Sequence, residues 1–172
     1  MEVNGWRLFQ HPLFKAQYEK LLKEAEKIQA QQPDTYQSHR TVKLLARITE
    51  LITKEIPEDP GHDRWNQGNT LGREYRHWKR AKFGKERRYR LFFRYDAKSK
   101  EVPPGKGKAI IYVWVNDGNT VRKEGDKNDP YAVFERGLRR GEPPDSFEAL
   151  MKESEKIDVP LAESAQEGDD RA

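Results

Sequence analysis

The stretch Tyr89-Arg90-Leu91-Phe92-Phe93-Arg94-Tyr95-Asp96 decides the fold. Side chains on a strand alternate between two faces. Tyr89, Leu91, Phe93 and Tyr95 therefore line one face, and Arg90, Phe92 and Arg94 line the other. Upstream, Tyr75 to Phe83 also alternates with period two and ends at Gly84, which predicts a preceding strand. Downstream, Ala109-Ile110-Ile111-Tyr112-Val113-Trp114-Val115-Asn116 is apolar on both faces, the pattern of a central strand covered from both sides. Lys98 to Lys108, with Pro103-Pro104-Gly105, reads as the hairpin connection.

Helices flank these strands. Phe14, Tyr18, Leu21, Leu22, Ala25 and Ile28 recur at steps of three and four, one apolar stripe on a helix running to about Gln31. Pro33 interrupts it and suits a first helical position. A second stripe holds Val42, Leu45, Ile48, Leu51 or Ile52, and Ile56, closed by Pro57. Val3 to Phe9 reads as a short edge strand ending at His11-Pro12. After the polar loop Gly118 to Asn128, Asp129-Pro130 caps a third helix with Tyr131, Phe134 and Leu138 in line and Gly141 at its end. Asp145 to Ile157, opened by the pair Asp145 and Glu148, predicts a fourth. The expected order is β-α-α-β-β-β-α. That is an α+β fold with two N-terminal helices packed on an antiparallel sheet, plus one or two C-terminal helices. Residues 1–157 form the expected domain, and 158–172 an acidic tail with the composition of disorder.

Composition narrows the function. Charged residues make up 36% of the 172 and apolar ones 34%, so the eighteen aromatics must supply much of the core. Zero cysteines exclude a disulfide framework, thiol chemistry and Cys-based metal sites. No apolar run approaches the ~20 residues of a membrane span, so a cytoplasmic protein without a membrane partner is expected. From Arg64 to Arg94, eleven Lys/Arg face only Glu74 and Glu86, a balance of +9. From Glu142 to Ala172, ten acids face three bases, a balance of −7. A basic block this dense, interleaved with aromatics, points to an anionic partner, most often nucleic acid.

Standard catalytic signatures are absent. There is no G-x-S-x-G, H-E-x-x-H or phosphate-loop spacing, and the histidines His11, His39, His62 and His77 are scattered, so neither metal nor cofactor is expected. Arg and Lys must then supply any electrophilic chemistry. One reaction suits them: attack of a ribose 2′-hydroxyl on the neighbouring phosphorus, with cations on the phosphorane that gains charge. The arginine fork binds phosphate in a bidentate way and never loses its charge. A neighbouring Lys, Tyr or His with a shifted pKa supplies the base and the acid.

Several segments are similar to one known family. They are Asn4-Gly5-Trp6 with His11-Pro12, Trp78-Lys79-Arg80-Ala81-Lys82-Phe83, Arg88 to Tyr95, Trp114-Val115-Asn116-Asp117 with Asn119-Thr120 and Arg122, Tyr131 to Phe134, and Arg140-Gly141-x-Pro143-Pro144. Together they resemble the YhaV toxins, a branch of the RelE/ParE-like superfamily of type II toxin–antitoxin systems, over about Val3 to Ile157. The resemblance implies a ribonuclease toxin that cuts mRNA, on the ribosome in RelE-like members. It also implies a cognate antitoxin, PrlF-like and of the swapped-hairpin AbrB type. By the same resemblance Arg80 and Lys82 fall where the superfamily places lysines on the first central strand. Arg90 matches an arginine opening the next strand, Arg122 an arginine after the last strand, and Tyr131 a tyrosine near the last helix.

Arg80 cannot be a general base, which leaves Lys82 or His77. The expected catalytic set is Arg90, Lys82, Arg122, Tyr131 and His77; the RNA-binding set is Lys79, Arg80, Arg87, Arg88, Arg94 and Asn119. Each has a plainer reading beside it. Arg90 can pair across strands, Lys82 can simply touch phosphate, Arg122 can be a solvated loop cation, Tyr131 can pack on Phe134, and a lone His such as His77 is commonly structural. Asn116 and Asp117 read as turn-shaping, and Trp114 as core. Two other functions compete with cleavage: a ParE-like poison of gyrase that cleaves nothing, and an RNA-binding module whose sheet stacks bases.

Overall fold

The computed structural model describes residues 1–99 and 107–157. The tail 158–172 and most of the Lys98–Lys108 connection lie outside the described residues. In chain order the elements are β1 (Glu2–Val3), β2 (Trp6–Gln10), α1 (Pro12–Gln31), α2 (Arg40–Glu50), a π turn (Leu51–Glu55) running into α3 (Ile56–Glu58), β3 (Lys79–Phe83), β4 (Tyr89–Ser99), β5 (Gly107–Val115), α4 (Pro130–Arg140), α5 (Phe147–Glu153) and β6 (Glu155–Lys156). The sheet runs β1-β2-β5-β4-β3, with β6 also paired to β2.

The sheet is mixed, which corrects the antiparallel expectation: β2 and β5 are parallel, and the other pairs are antiparallel. The expected edge strand is an interior one. Every residue of β2 is buried, Arg7 and Gln10 included, so it lies beside the central β5 rather than at a solvated edge. Asn4 and Gly5, at φ 52° and 80°, fold β1 back on it. Two positive φ values in a two-residue connection are what a type I′ hairpin requires.

The sheet separates two cores. On one face α1, α2 and the π turn bring Phe14, Tyr18, Ile48 and Ile52 onto Leu8, Leu91, Phe93, Ile110 and Tyr112. On the other, α4 and α5 bring Phe134, Leu138, Leu150 and Met151 onto Phe9, Trp78, Phe92, Ile111 and Val113. Phe92 stacks on Phe134 with ring centroids 4.2 Å apart. The alternation read from β4 thus separates Leu91 and Phe93 from Phe92 across the sheet. A bulge shifts the register from Phe92↔Trp114 to Phe93↔Tyr112. It sets both Val113 and Trp114 toward α4. Truncating a fully buried side chain such as Leu91 to Ala costs about 2–5 kcal/mol.

Local chemistry moves several boundaries. Strand β3 starts at Lys79, because Arg73–Tyr75 is a 3-10 turn and the Trp78 indole dives into the core. Pro33 sits in a turn, and α2 starts seven residues later at Arg40. The short α5 is capped by Ser146, not by Asp145, whose carboxylate is committed elsewhere. Histidines open three helical segments. The Nδ1 atoms of His11, His39 and His62 accept the N–H of Leu13, Thr41 and Arg64 at 3.2, 3.1 and 3.0 Å. No helix among the described residues is long and apolar enough to cross a membrane.

Candidate active site on the cationic face of the sheet

Cross-strand register builds the site. Lys82 on β3 pairs with Arg90 on β4, and Arg80 pairs with Phe92, so Arg80, Lys82 and Arg90 share the face toward α4. Tyr131 descends from the first turn of α4 into this group. Its hydroxyl accepts the Nε–H of Arg90 at 3.0 Å and of Arg80 at 3.1 Å. The Arg122 and Arg90 guanidiniums lie over its ring, 5.1 and 5.5 Å from the centroid. Tyr131 thus joins the two arginine strands and still packs on Phe92, edge to face at 5.5 Å.

The two inner arginines are buried and held. Arg90 Nη1 donates to the carbonyls of Arg87 and Tyr89 at 2.5 and 2.9 Å. Arg80 Nη1 donates to Arg64 O at 2.8 Å. Only 6% and 8% of Arg90 and Arg80 are exposed, so each offers solvent little more than its remaining Nη2 edge. A carbonyl-wrapped guanidinium keeps its charge in place and loses little freedom when an anion arrives. Arg122 is anchored by Asp129, whose buried carboxylate accepts its Nη1–H at 2.6 Å and the N–H groups of Lys123 and Tyr131 at 2.7 and 3.1 Å.

Lys82 is the exposed member, and among the described residues its amine has no hydrogen bond or ion pair. Its pKa is lowered, first by the charge of Arg80, then by partial burial, and then by Arg90, Arg87 and Arg122. Crowding by four cations favours the neutral amine, which can take a proton. The turn between β3 and β4 closes this corner. Gly84 (φ 79°) could not carry a Cβ, which would lie 2.6 Å from the Tyr89 ring. Glu86 and Arg87 are left-handed at φ 57° and 53°, a conformation that costs about 1–3 kcal/mol per residue.

The structure places the remaining sequence candidates elsewhere or in other roles. His77 Nε2 lies 2.6 Å from Asp145 Oδ1, which also accepts the Trp78 Nε1–H at 2.7 Å. Arg94 donates to Asp145 O and covers the rings of Trp78 and Phe147. Together these groups tie β3 and β4 to the start of α5, and His77 touches none of the Tyr131 group. Lys79 points to the opposite face and donates to Asn66 Oδ1 at 2.6 Å, its pKa lowered chiefly by burial. Arg87 and Arg88 are exposed on the turn, with Arg88 3.6 Å from Glu86. The Asn119 backbone donates to Asp117 Oδ1 at 2.9 Å within an exposed turn.

Two residues have roles that spacing does not reveal. Asn116 is 3% exposed, and its side chain bridges β4 to the loop that carries Arg122. Asp129 is legible as a helix cap, but its ion pair with Arg122 is not. Among the described residues, no three His, Cys, Asp or Glu side chains gather as a metal site would need. What the arrangement offers is an exposed amine of lowered pKa, a phenol and three fixed guanidiniums around one spot.

Comparison with known proteins locates the chain. The model of a family described as toxins with endonuclease activity of toxin–antitoxin systems, Toxin_YhaV, matches residues 8–155. A ribonuclease toxin YhaV of Escherichia coli K12 is 41% identical over 155 residues, spanning 90% of this chain and 95% of its own. Toxins YhaV of the O157:H7 and O6:H1 strains of that species match to the same extent. No solved structure matches the chain.

Proposed function

The chain belongs to the YhaV family of toxins with endonuclease activity, and from that premise we propose that it cuts mRNA at the Lys82–Arg90–Tyr131 cluster, without a metal ion. The carrying observation is the exposed Lys82 amine, set by register beside Arg90 and depressed by four arginines. Lys82 takes the proton of a ribose 2′-hydroxyl. The 2′-oxygen bonds to phosphorus, the bond to the 5′-oxygen breaks, and Tyr131 gives that oxygen its hydroxyl proton. The products are a 2′,3′-cyclic phosphate and a 5′-hydroxyl. The open edges of Arg80 and Arg90, with Arg122, carry the charge that builds on the non-bridging oxygens. Arg87 and Arg88 hold the flanking phosphates from the exposed turn. In this reading His77 and Arg94 serve packing.

A RelE-like fold fits the order of elements, with β1 and β6 as additions at the β2 edge. Membership of a toxin–antitoxin family supports a cognate antitoxin and an RNA substrate; in our reading the RNA is mRNA met on the ribosome, and the antitoxin is of the PrlF-like, AbrB type. A toxin acting on mRNA under such control works in the cytoplasm.

Purified protein tests this directly with a labelled mRNA in EDTA, with and without ribosomes, beside Arg90→Ala. Cuts in EDTA that end in cyclic phosphate and vanish in the variant support the reading. Cleavage that needs added divalent cations, or survives in Arg90→Ala, removes it. No cutting at all, with RNA still bound, leaves a binding module.

A further inference from the structure

Beyond β5 the regular ladder ends, and one side chain continues it. Asn116 Oδ1 accepts the Arg90 N–H at 2.7 Å. Its Nδ2 donates to Arg88 O at 3.1 Å and to Thr120 O at 2.8 Å. Three separate pieces of backbone meet on this one amide: the first residues of β4, the end of the strained turn, and the loop 117–122. Arg122 N–H then donates to the same Arg88 carbonyl at 2.9 Å, so the loop cannot leave Asn116 without loosening Arg122. The residue is buried, and both ends of its amide are satisfied. An Asp of the same shape would face two carbonyls with oxygen.

We propose that Asn116 is the positioning residue of the site: its amide fixes Arg90, the Arg87–Arg88 turn and the Arg122 loop around Lys82, and so sets how the cluster moves a proton. The inference rests on the assignment of Lys82 as the base. Three of the four arginines acting on Lys82 sit on segments this amide ties together; Arg80, the strongest, is held instead by Tyr131 and Arg64. The other charged and titratable groups of this corner are Tyr131 and Asp129 from α4 and its cap, Lys85, Glu86 and Arg88 on the turn, and Lys123 beside Arg122. Of these, Asp129 is spent on Arg122, and Glu86 stands against Arg88. Releasing the loop draws positive charge away from Lys82, so its amine holds a proton to higher pH.

The test is the pH dependence of single-turnover cleavage of a labelled mRNA by wild type, Asn116→Ala and Asn116→Asp. Thr49→Ala serves as the control; it loses the buried Tyr18–Thr49 hydrogen bond (2.6 Å) on the far face and leaves the site alone. A base acts when neutral, so the acidic limb of the profile marks the Lys82 amine. The limb should move to higher pH in Asn116→Ala and the rate at neutral pH should fall, while affinity for an uncleavable 2′-deoxy analogue stays within about threefold. Asn116→Asp keeps the acceptor for Arg90 and adds a negative charge, so it moves the limb the same way and remains informative if the Ala variant folds poorly. Thr49→Ala should lower stability with the limb unmoved. A wild-type limb and rate in either folded Asn116 variant overturns the proposal. If Lys82→Ala itself cleaves normally, the site assignment fails instead, so the two failures are distinguishable.

Discussion

Arg90 and Arg94 stand four residues apart on β4, face the same way and do opposite things. Arg94 is wrapped: it donates to Asp145 O and lies 5.2 and 5.9 Å from the Trp78 and Phe147 rings. Its pKa is lowered, chiefly by burial. Its charge is used up in joining α5 to the sheet. Arg90 is held as firmly, but its cross-strand neighbour is an open lysine, and a second and a third guanidinium converge on the same tyrosine. Like charges pressed together cost stability unless an anion is due to arrive. Residue type does not separate Arg94 from the arginine assigned to the proposed site; what each one touches does.

That contrast can be broken in four places, from the largest effect to the smallest. Lys82→Ala should slow single-turnover cleavage by about 10²–10⁴-fold, the range of general acid–base catalysis, with the 2′-deoxy analogue still bound; restoration by Lys82→Arg would show that only charge matters there. Arg90→Ala should cost about 10²–10³-fold in kcat, as loss of one anion-stabilising donor does, whereas Arg94→Ala should stay within about tenfold. Equal losses at both would erase the distinction. In urea, Arg94→Ala should lose about 1–3 kcal/mol of stability through its carbonyl bond and aromatic packing; unchanged midpoints would show that the wrapping is idle. Lys82→Met should stabilise the fold by a few tenths of a kcal/mol. The sign follows from the lowered pKa: charged Lys82 is disfavoured in the folded state, so the cost it imposes is present at low pH and fades as pH rises through the folded value. The gain in Lys82→Met should shrink with salt and vanish at high pH; a loss instead would place Lys82 in an unseen pair.

Local pattern and long-range geometry divide what was readable. The faces of β4, the stripes of α1 and α2, the doubly buried β5 and the Asp129 cap lie within single segments, where periodicity and capping chemistry act. The parallel β2–β5 pair is a choice between distant strands, and the hydropathy of β2 alone told only that it is short and apolar. The same holds for the site. Arg80, Lys82 and Arg90 share a hairpin and were legible together. Tyr131 reaches Arg90 across 41 residues, and Arg80 across 51, so only folding brings them into contact. Asn116 was read as a turn residue because its spacing is that of a turn; its role lies in the three strangers it binds. His77 likewise meets its partner only through folding, since Asp145 is 68 residues away.

The histidine caps have a spectroscopic consequence. Because His11, His39 and His62 each accept a backbone N–H at Nδ1, a neutral ring in any of them carries its proton on Nε2. In a ¹⁵N-labelled sample the two ring nitrogens of such a histidine give well-separated resonances, and the pattern averages when the cap opens. Nature has thereby placed three isotopic reporters at the starts of α1, α2 and the 3-10 turn Asp63–Trp65, each reading the integrity of its own segment. His77, bound through Nε2 to a carboxylate and capping nothing, supplies the internal contrast.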